Sequence, residues 1–210
     1  MTALAARLAE GVAELGLRLP AAAQPRLLEY LALMQKWNRT YNLTAVREPL
    51  KMVSYHVLDS LAVAPHLNAR TILDVGSGAG LPGIPLALAL PQTAVTLLES
   101  SHKKAAFLQQ AKTDLKLDNV TVVCERVETW QSGGSFDVVT SRAFSDLAEF
   151  VALTGRHAAP GGRLAAMKGI YPHEELTQLP GGWRLENAIS LTVPGVRGER
   201  HLLLIERIRP

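Results

Sequence analysis

Four glycines in eight residues, Gly76, Gly78, Gly80 and Gly83, follow directly on the apolar run Thr71-Ile72-Leu73-Asp74-Val75. Glycines at that spacing let the chain turn sharply after a strand and let a ligand approach the main chain closely. The helical stretch Ile84–Leu90 follows, so the segment reads as a strand, a binding loop and a helix. Gly78-Ala79-Gly80-Leu81-Pro82-Gly83 also satisfies the GxGxxG pattern of dinucleotide sites, a weak signal alone. A glycine-rich turn without a ligand is the plain alternative.

Two carboxylates narrow the ligand. Asp74 ends the strand two residues before Gly76, where an anion would repel a pyrophosphate but suit a cationic ammonium group. That favours S-adenosylmethionine, with Asp74, Gly76, Ser77 and Gly78 as its contacts, over a nicotinamide dinucleotide. Glu99 ends the next strand and suits a ribose-hydroxyl acceptor for either ligand. Val127-Glu128 follows the third strand, where folds of this kind wrap an adenine; an ordinary surface turn would read the same.

Methyl transfer from a sulfonium is an in-line displacement, and the protein supplies alignment, exclusion of water and electrostatic fit. The loop after the fourth strand reads Thr140-Ser141-Arg142-Ala143-Phe144, without the Asn/Asp-Pro-Pro-aromatic cluster of enzymes that methylate exocyclic amines. Pyrimidine C5 chemistry needs a nucleophilic cysteine. The single cysteine, Cys124, falls within the third apolar run and reads as a core residue. A nucleophile that needs no deprotonation suits such a site, and guanine N7 is one. No side chain is then required as a base; Arg142 is the best candidate for a positioning role, and no other catalytic residue is assigned.

The elements that must carry these residues alternate. Short β-branched runs at Thr71–Val75, Ala94–Glu99, Asn119–Cys124, Phe136–Ser141 and Arg163–Lys168 are separated by helical stretches, which argues for βαβ units and a parallel sheet. Arg184–Val193 and Glu199–Ile208 are joined by Pro194-Gly195-Val196-Arg197-Gly198, too short for a crossover helix, so these two should pair antiparallel. The expected fold is α/β: a Rossmann-like class I methyltransferase with a seven-stranded, mostly parallel sheet and an antiparallel terminal strand. Residues 1–68 form an N-terminal helical extension packed on the core, and 69–210 the methyltransferase domain. In the extension, Leu27, Tyr30, Leu31, Met34 and Trp37 make one helical stripe opened by Pro25; Leu50, Val53, Val57, Leu58 and Leu61 make another between Pro49 and Pro65. Asn38–Thr44 reads as a turn-prone link.

Composition sets the class. The 210 residues are 48% apolar, enough for one domain with a filled core plus a small appendage. No apolar stretch approaches the length of a membrane span, and Met1–Arg7 lacks the layout of a secretory signal, so a cytoplasmic protein without membrane contact is expected. One cysteine permits no internal disulfide and no cysteine metal cluster, and no His/carboxylate cluster suggests a metal. A net charge of +3 permits a polyanionic partner without demanding one.

Trp37-Asn38 with Tyr41-Asn42-Leu43-Thr44-Ala45, then His56-Val57-Leu58-Asp59-Ser60-Leu61, resemble the N-terminal signature of the ribosomal small-subunit methyltransferase G family, also called glucose-inhibited division protein B. The similarity continues through Asp74–Pro85, Lys103-Lys104 with Phe107-Leu108, Arg126-Val127-Glu128, Ser141-Arg142-Ala143-Phe144, Met167-Lys168-Gly169 and Gly198–Leu202. The resemblance implies N7 methylation of a guanine in small-subunit (16S) ribosomal RNA, with S-adenosylmethionine held against Gly76, Gly78, Leu81, Glu99, Val127, Glu128 and Arg142. The one departure is Glu99-Ser100, where many relatives have Asp-Ser; the longer carboxylate can still accept from a ribose.

Several residues have two readings. Arg142, at the mouth of the sheet, could hold the methionine carboxylate or an RNA phosphate, or form a salt bridge to a neighbouring helix. Lys168 could meet RNA or guanine O6, or be a solvated strand-end lysine; Arg200 could contact phosphate or guard a sheet edge. Asn42 and Tyr41 could touch the base. His56, Asp59 and Ser60 are expected on the helix face opposite the apolar stripe, as a lid or RNA platform or as an anchoring network. The expected partner is small-subunit RNA, free or within a subunit, and the expected state a monomer. A nicotinamide oxidoreductase, a small-molecule methyltransferase and a cofactor-bound assembly protein without turnover remain open as rivals.

Overall fold

The computed structural model describes residues 2–142 and 144–208. Ala143 of the Ser-Arg-Ala-Phe segment, Met1 and the last two residues of the expected methyltransferase domain therefore lie outside the described residues.

Seven strands form one sheet: β1 (Thr71–Val75), β2 (Ala94–Leu98), β3 (Val120–Val123), β4 (Phe136–Ser141), β5 (Ala158–Lys168), β6 (Trp183–Ser190) and β7 (His201–Arg207), in the order β3-β2-β1-β4-β5-β7-β6. The first five are parallel. The last in sequence, β7, runs antiparallel between β5 and β6, as the short link after β6 requires. Strand order reverses between β1 and β4, so the crevice where open α/β sheets bind ligands lies at the C-terminal ends of those two strands.

Alternation along the strands divides the core. Ile72, Val95, Leu97, Leu202 and Leu204 face one layer; Leu73, Val75, Leu98, Leu203 and Ile205 face the other. Against the second layer packs α7 (Leu147–Thr154), capped by Asp146, which accepts from the Glu149 amide at 2.8 Å. The first layer is covered by α5 (Gly83–Ala89) and α6 (His102–Asp114), and by two helices of the extension, α1 (Ala3–Glu14) and α2 (Ala23–Tyr41). Leu8, Leu27, Tyr30, Leu31 and Met34 share one hydrophobic cluster with the sheet residues. The helix carrying Tyr30 starts two residues before Pro25 and runs to Tyr41, ending at Asn42 in the left-handed region (φ 49°). The Asn38 side chain then closes the following turn, accepting from the Thr44 amide at 2.9 Å.

The second helical stretch departs from the simple stripe. It comprises α3 (Pro49–Met52), a π-helical turn over Val53–Leu58 and α4 (Asp59–Leu61). The wider π turn inserts about one extra residue per turn and rotates what precedes it out of line. Leu50 is consequently 43% exposed and Met52 takes its place in the core. Nor is there an outward polar face, because His56, Asp59 and Ser60 are all buried beside Val57, Leu58 and Leu61. Cys124 is likewise not a core residue: β3 stops at Val123, and the thiol is partly exposed, 3.2 Å from His102 Nδ1. None of the helices among the described residues is long and apolar enough to cross a membrane.

Candidate functional site

The glycine loop is built from inside. Gly76 and Ser77 both donate their amides to the Leu98 carbonyl, at 2.8 and 3.2 Å, and Gly78 donates to Glu99 Oε2 at 2.8 Å. Ser77 Oγ donates back to the Asp74 carbonyl at 2.9 Å. Positive φ at Gly76 (69°), Gly78 (58°) and Gly80 (88°) makes this winding possible. A Cβ on Gly80 would meet Ile84 Cδ1 at 2.5 Å, whereas one on Gly78 would touch only the Gly76 carbonyl, at 3.8 Å. From behind, the buried Tyr30 of α2 donates its hydroxyl to the Ala79 carbonyl.

Asp74 requires a correction. It lies on the same face of β1 as Ile72, towards α5, and is fully buried rather than aimed at the crevice. Its Oδ2 accepts from the Gly83 amide at 3.0 Å, and Oδ1 has no hydrogen-bond partner. Burial pushes its pKa up to about 7, against smaller opposing pulls from the Gly83 amide, Ser77 and Arg142. Asp74 therefore ties the loop and the start of α5 to the strand and presents no carboxylate to a ligand's ammonium group. The expectation fails because strand alternation turns every second side chain inward.

This wiring also bears on the ligand. A pyrophosphate needs uncommitted amides at a helix start. Here the amides of Gly76, Ser77, Gly78 and Gly83 are spent on internal acceptors, two of them carboxylates. With these amides committed, the loop offers a pyrophosphate few free donors and so opposes a dinucleotide.

Three hollows adjoin one another along the mouth of the sheet. The first, about 180 Å³, is lined by Gly76, Leu98, Ser100, Val127, Glu128 and Phe144 among others. The second, about 190 Å³, shares Gly76 and adds Ser77, Gly78, Leu81, Thr44 and Arg142. The third, about 370 Å³, shares Arg142 and is walled by Tyr55, His56, Asp59, Lys168, Arg200 and His201 with several apolar neighbours. The first two could together hold an extended S-adenosylmethionine, with Val127 and Glu128 toward one end and Gly76, Ser77 and Gly78 along the middle; Glu99 lines neither hollow. Glu99 itself is buried, its oxygens accepting from the Gly78 and Ser101 amides at 2.8 Å each. Its remaining lone pairs could take a ribose hydroxyl.

The Val127-Glu128 turn has a support that sequence reasoning missed. Arg156 donates through Nη2 to the carbonyls of Val127, Glu128 (2.9 Å) and Trp130 (3.3 Å). It follows α7, in the 3₁₀ turn Gly155–His157, and no spacing rule links it to the turn it holds.

The third hollow collects cations. Register explains why: Lys168 at the end of β5 pairs with His201 at the start of β7. Arg142 donates to the Tyr55 carbonyl at 3.2 Å and to Asp59 Oδ2 at 3.1 Å. Arg142 thus forms the salt bridge to a neighbouring helix and also lines two of the hollows. Arg200 donates to Asp59 Oδ1 at 2.9 Å, so it is not an edge guard. Lys168 is not solvated: only 11% of its side chain is exposed, and Nζ donates to the Ser145 carbonyl at 2.6 Å and to Glu175 at 2.7 Å. Asn42, by contrast, is exposed, accepts from Arg47 at 3.2 Å and lines none of the three hollows; Tyr41 packs against Trp37, the rings tilted by 33° with centroids 5.1 Å apart. Among the described residues no group of three or more His, Cys, Asp or Glu could hold a metal ion.

Comparison with known proteins places this arrangement in a family. The model for rRNA small subunit methyltransferase G (GidB) matches residues 23–203. A protein named Ribosomal RNA small subunit methyltransferase G from Nitrosospira multiformis is 59% identical over 210 residues, covering 97% of each chain. One of the same name from Aromatoleum aromaticum is 55% identical, covering 97% of this chain and 99% of that one. In fold, the O-methyltransferase TomG from Streptomyces achromogenes, solved in complex with SAM, superposes over both whole chains with a TM-score of 0.61 at 17% identity. The chain belongs to the rRNA small subunit methyltransferase G family.

Proposed function

We propose that this protein transfers a methyl group from S-adenosylmethionine to N7 of a guanine in small-subunit (16S) ribosomal RNA. The observation that carries the reading is the shared wall at Arg142, which lines both the hollow over the glycine loop and the neighbouring cation-lined hollow. The names of the family's members supply the RNA. When bound, the cofactor supplies an electrophilic methyl group for in-line displacement.

The chain's own residues hold and align. Gly76, Ser77, Gly78 and Leu81 shape the middle of the cofactor site, and Val127 and Glu128 its adenine end; Glu99, buried behind the loop on the Gly78 amide, reaches the ribose from there. Arg142, Lys168 and Arg200 border the base and its phosphates. Guanine N7 has a free lone pair, so no residue has to remove a proton. Asp59 pairs with both Arg142 and Arg200, and Glu175 with Lys168, so these groups keep a net positive charge that suits an RNA phosphate beside the base. Burial and Arg142 together lower the His56 pKa to about 4, over weaker opposite pulls from Tyr55 and Asp59, so its ring is neutral at neutral pH.

The extension over residues 1–68 acts as part of the catalytic body, bracing the loop through Tyr30 and walling the base pocket through Tyr55, His56 and Asp59. The protein works in the cytoplasm as a monomer, on RNA exposed in the small subunit or its precursor. The test is transfer of labelled methyl from S-adenosylmethionine to small-subunit and, separately, large-subunit RNA from cells lacking the protein. Label confined to small-subunit RNA, and falling steeply as salt rises, is expected; transfer to neither RNA would contradict the reading.

A further inference from the structure

A fourth hollow, about 230 Å³, lies outside the cofactor and base sites. The end of α2 gives it Gln35, Asn38 and Arg39, which steps of three and four place on one helix face. Arg47 comes from the loop after α2, and Pro49 and Met52 from α3. That loop serves three hollows at once. Its Thr44 lines the hollow over the glycine loop and its Val46 the base hollow, while Arg47, the next residue, lines the fourth.

The polar groups around the fourth hollow are donors in want of an acceptor. Asn38 is only 5% exposed, and its Oδ1 is spent on the Thr44 amide. Its Nδ2 has no acceptor among the described residues, and unlike His56 Nδ1, Ser60 Oγ and Asp74 Oδ1 it is not sealed from solvent. Asn38 lines this hollow and none of the other three, so its free N–H groups open into it. Arg39 is exposed and makes no ion pair or hydrogen bond among the described residues. Arg47 gives one bond, from Nη2 to Asn42 Oδ1 at 3.2 Å, and keeps its other donors. No carboxylate lines the hollow. Two guanidinium groups and a buried amide around one concavity suit an anion, and a phosphate above all.

The charge distribution agrees. Residues 36–51 hold four cations, Lys36, Arg39, Arg47 and Lys51, against one acid, Glu48, which equals the formal excess of +3 for the whole chain. The rest of the chain is formally neutral, so a polyanion is drawn to this segment.

We propose that the fourth hollow binds a backbone phosphate of the substrate RNA beside the target nucleotide, fixing how the strand lies while its base enters the third hollow. This rests on the reading of the protein as an enzyme acting on small-subunit RNA. Arg39 and Arg47 supply the charge and Asn38 the buried donor; such contacts position a strand without reading its sequence.

The test is filter binding to protein-free small-subunit RNA over a range of salt concentrations, with whole subunits in parallel. Arg39→Gln/Arg47→Gln removes two exposed side chains that make a single hydrogen bond between them, so the fold should be retained. The double variant is expected to bind RNA about 10- to 100-fold more weakly at about 0.1 M salt, with the slope of log K against log salt shallower by about 1.5. Affinity for S-adenosylmethionine should stay the same. Asn38→Asp keeps the acceptor for the Thr44 amide and sets a negative oxygen in place of the free N–H; RNA affinity should fall about tenfold. The control, Arg70→Gln/Lys116→Gln, removes the same charge from exposed residues that precede β1 and β3, at the end of the sheet opposite its mouth. It should lose less than about threefold. Wild-type affinity and slope in Arg39→Gln/Arg47→Gln, or an equal loss in the control, overturns the proposal. A loss seen with whole subunits but not with free RNA gives the hollow to a ribosomal protein and overturns it as well. If wild-type protein neither binds nor methylates small-subunit RNA, the reading of the function fails and this assignment with it.

Discussion

Arg142 and Arg200 grip opposite oxygens of one buried carboxylate: Arg142 donates to Asp59 Oδ2 at 3.1 Å and Arg200 to Asp59 Oδ1 at 2.9 Å. One guanidinium follows β4, the other precedes β7, and the acid comes from α4, so three distant segments meet at one ion-pair network. Each arginine side chain keeps about a quarter of its surface exposed, 28% and 26%, and so retains donors for a substrate. Asp59→Asn is expected to loosen both and lower kcat/KM for RNA about 10- to 100-fold, as expected for a misplaced positioning group. Affinity for S-adenosylmethionine should change far less. Methyl-transfer kinetics beside calorimetry of cofactor binding separate the two effects, and an equal loss in both would count against the positioning role.

Gly78 is the position where loop geometry and ligand space can be tested together. At φ 58° any side chain is strained, but nothing in the protein other than the Gly76 carbonyl at 3.8 Å is near an added Cβ. Gly78→Ala should therefore cost only about 1 kcal/mol of stability. It should weaken cofactor binding at least about tenfold, since the methyl group would occupy the hollow. Thermal unfolding and calorimetric titration read the two numbers; unchanged cofactor affinity would displace the ligand from this hollow.

How much of this was legible beforehand differs by residue. β1 and β4 are bounded as their β-branched runs predict, because both faces of a central parallel strand are apolar and turn residues flank them. β5 starts at Ala158 instead of Arg163, since Pro160-Gly161-Gly162 mimics a turn within a strand. The direction of Asp74 was available from alternation with Ile72. Pairings such as Asp59 with Arg200, 141 residues apart, or Arg156 with Glu128, leave no local pattern, because only the closed sheet brings them together. The π turn at Val53–Leu58 is invisible to a 3.6-residue template.

Asp74 should tune stability with pH. Its carboxyl is raised to about 7 in the folded protein and titrates near 3.9 in an unfolded chain. Between those values the folded state holds a proton that the unfolded state has released. The contribution is fully present below the unfolded pKa and is lost as pH rises through about 7, a swing of at most about 4 kcal/mol. His56, lowered to about 4, acts in the opposite direction but is common to wild type and Asp74→Asn and cancels in their difference. The stability of wild type relative to Asp74→Asn is thus expected to fall from pH 4 to pH 7 and then level. Thermal or urea unfolding across that range checks it, and a flat difference would contradict it.

Arg156→Ala removes the side chain that fastens the turn at the adenine end. Losing net hydrogen-bond energy of about 1 kcal/mol should raise the Kd for S-adenosylmethionine about 3- to 10-fold. RNA affinity measured separately should stay the same. Calorimetry with the cofactor alone and filter binding with RNA alone make the comparison, and a loss confined to RNA would show that the turn belongs to the substrate side.

The most direct measurement of the central claim is nucleoside mass spectrometry of small-subunit RNA from cells with and without this protein, with the purified protein and S-adenosylmethionine added back to subunits from the deficient cells. The account predicts that one N7-methylguanosine disappears from the RNA in the deficient cells and returns on addition. An N7-methylguanosine content that is identical in both strains, or a methyl group restored to a different atom, would contradict it.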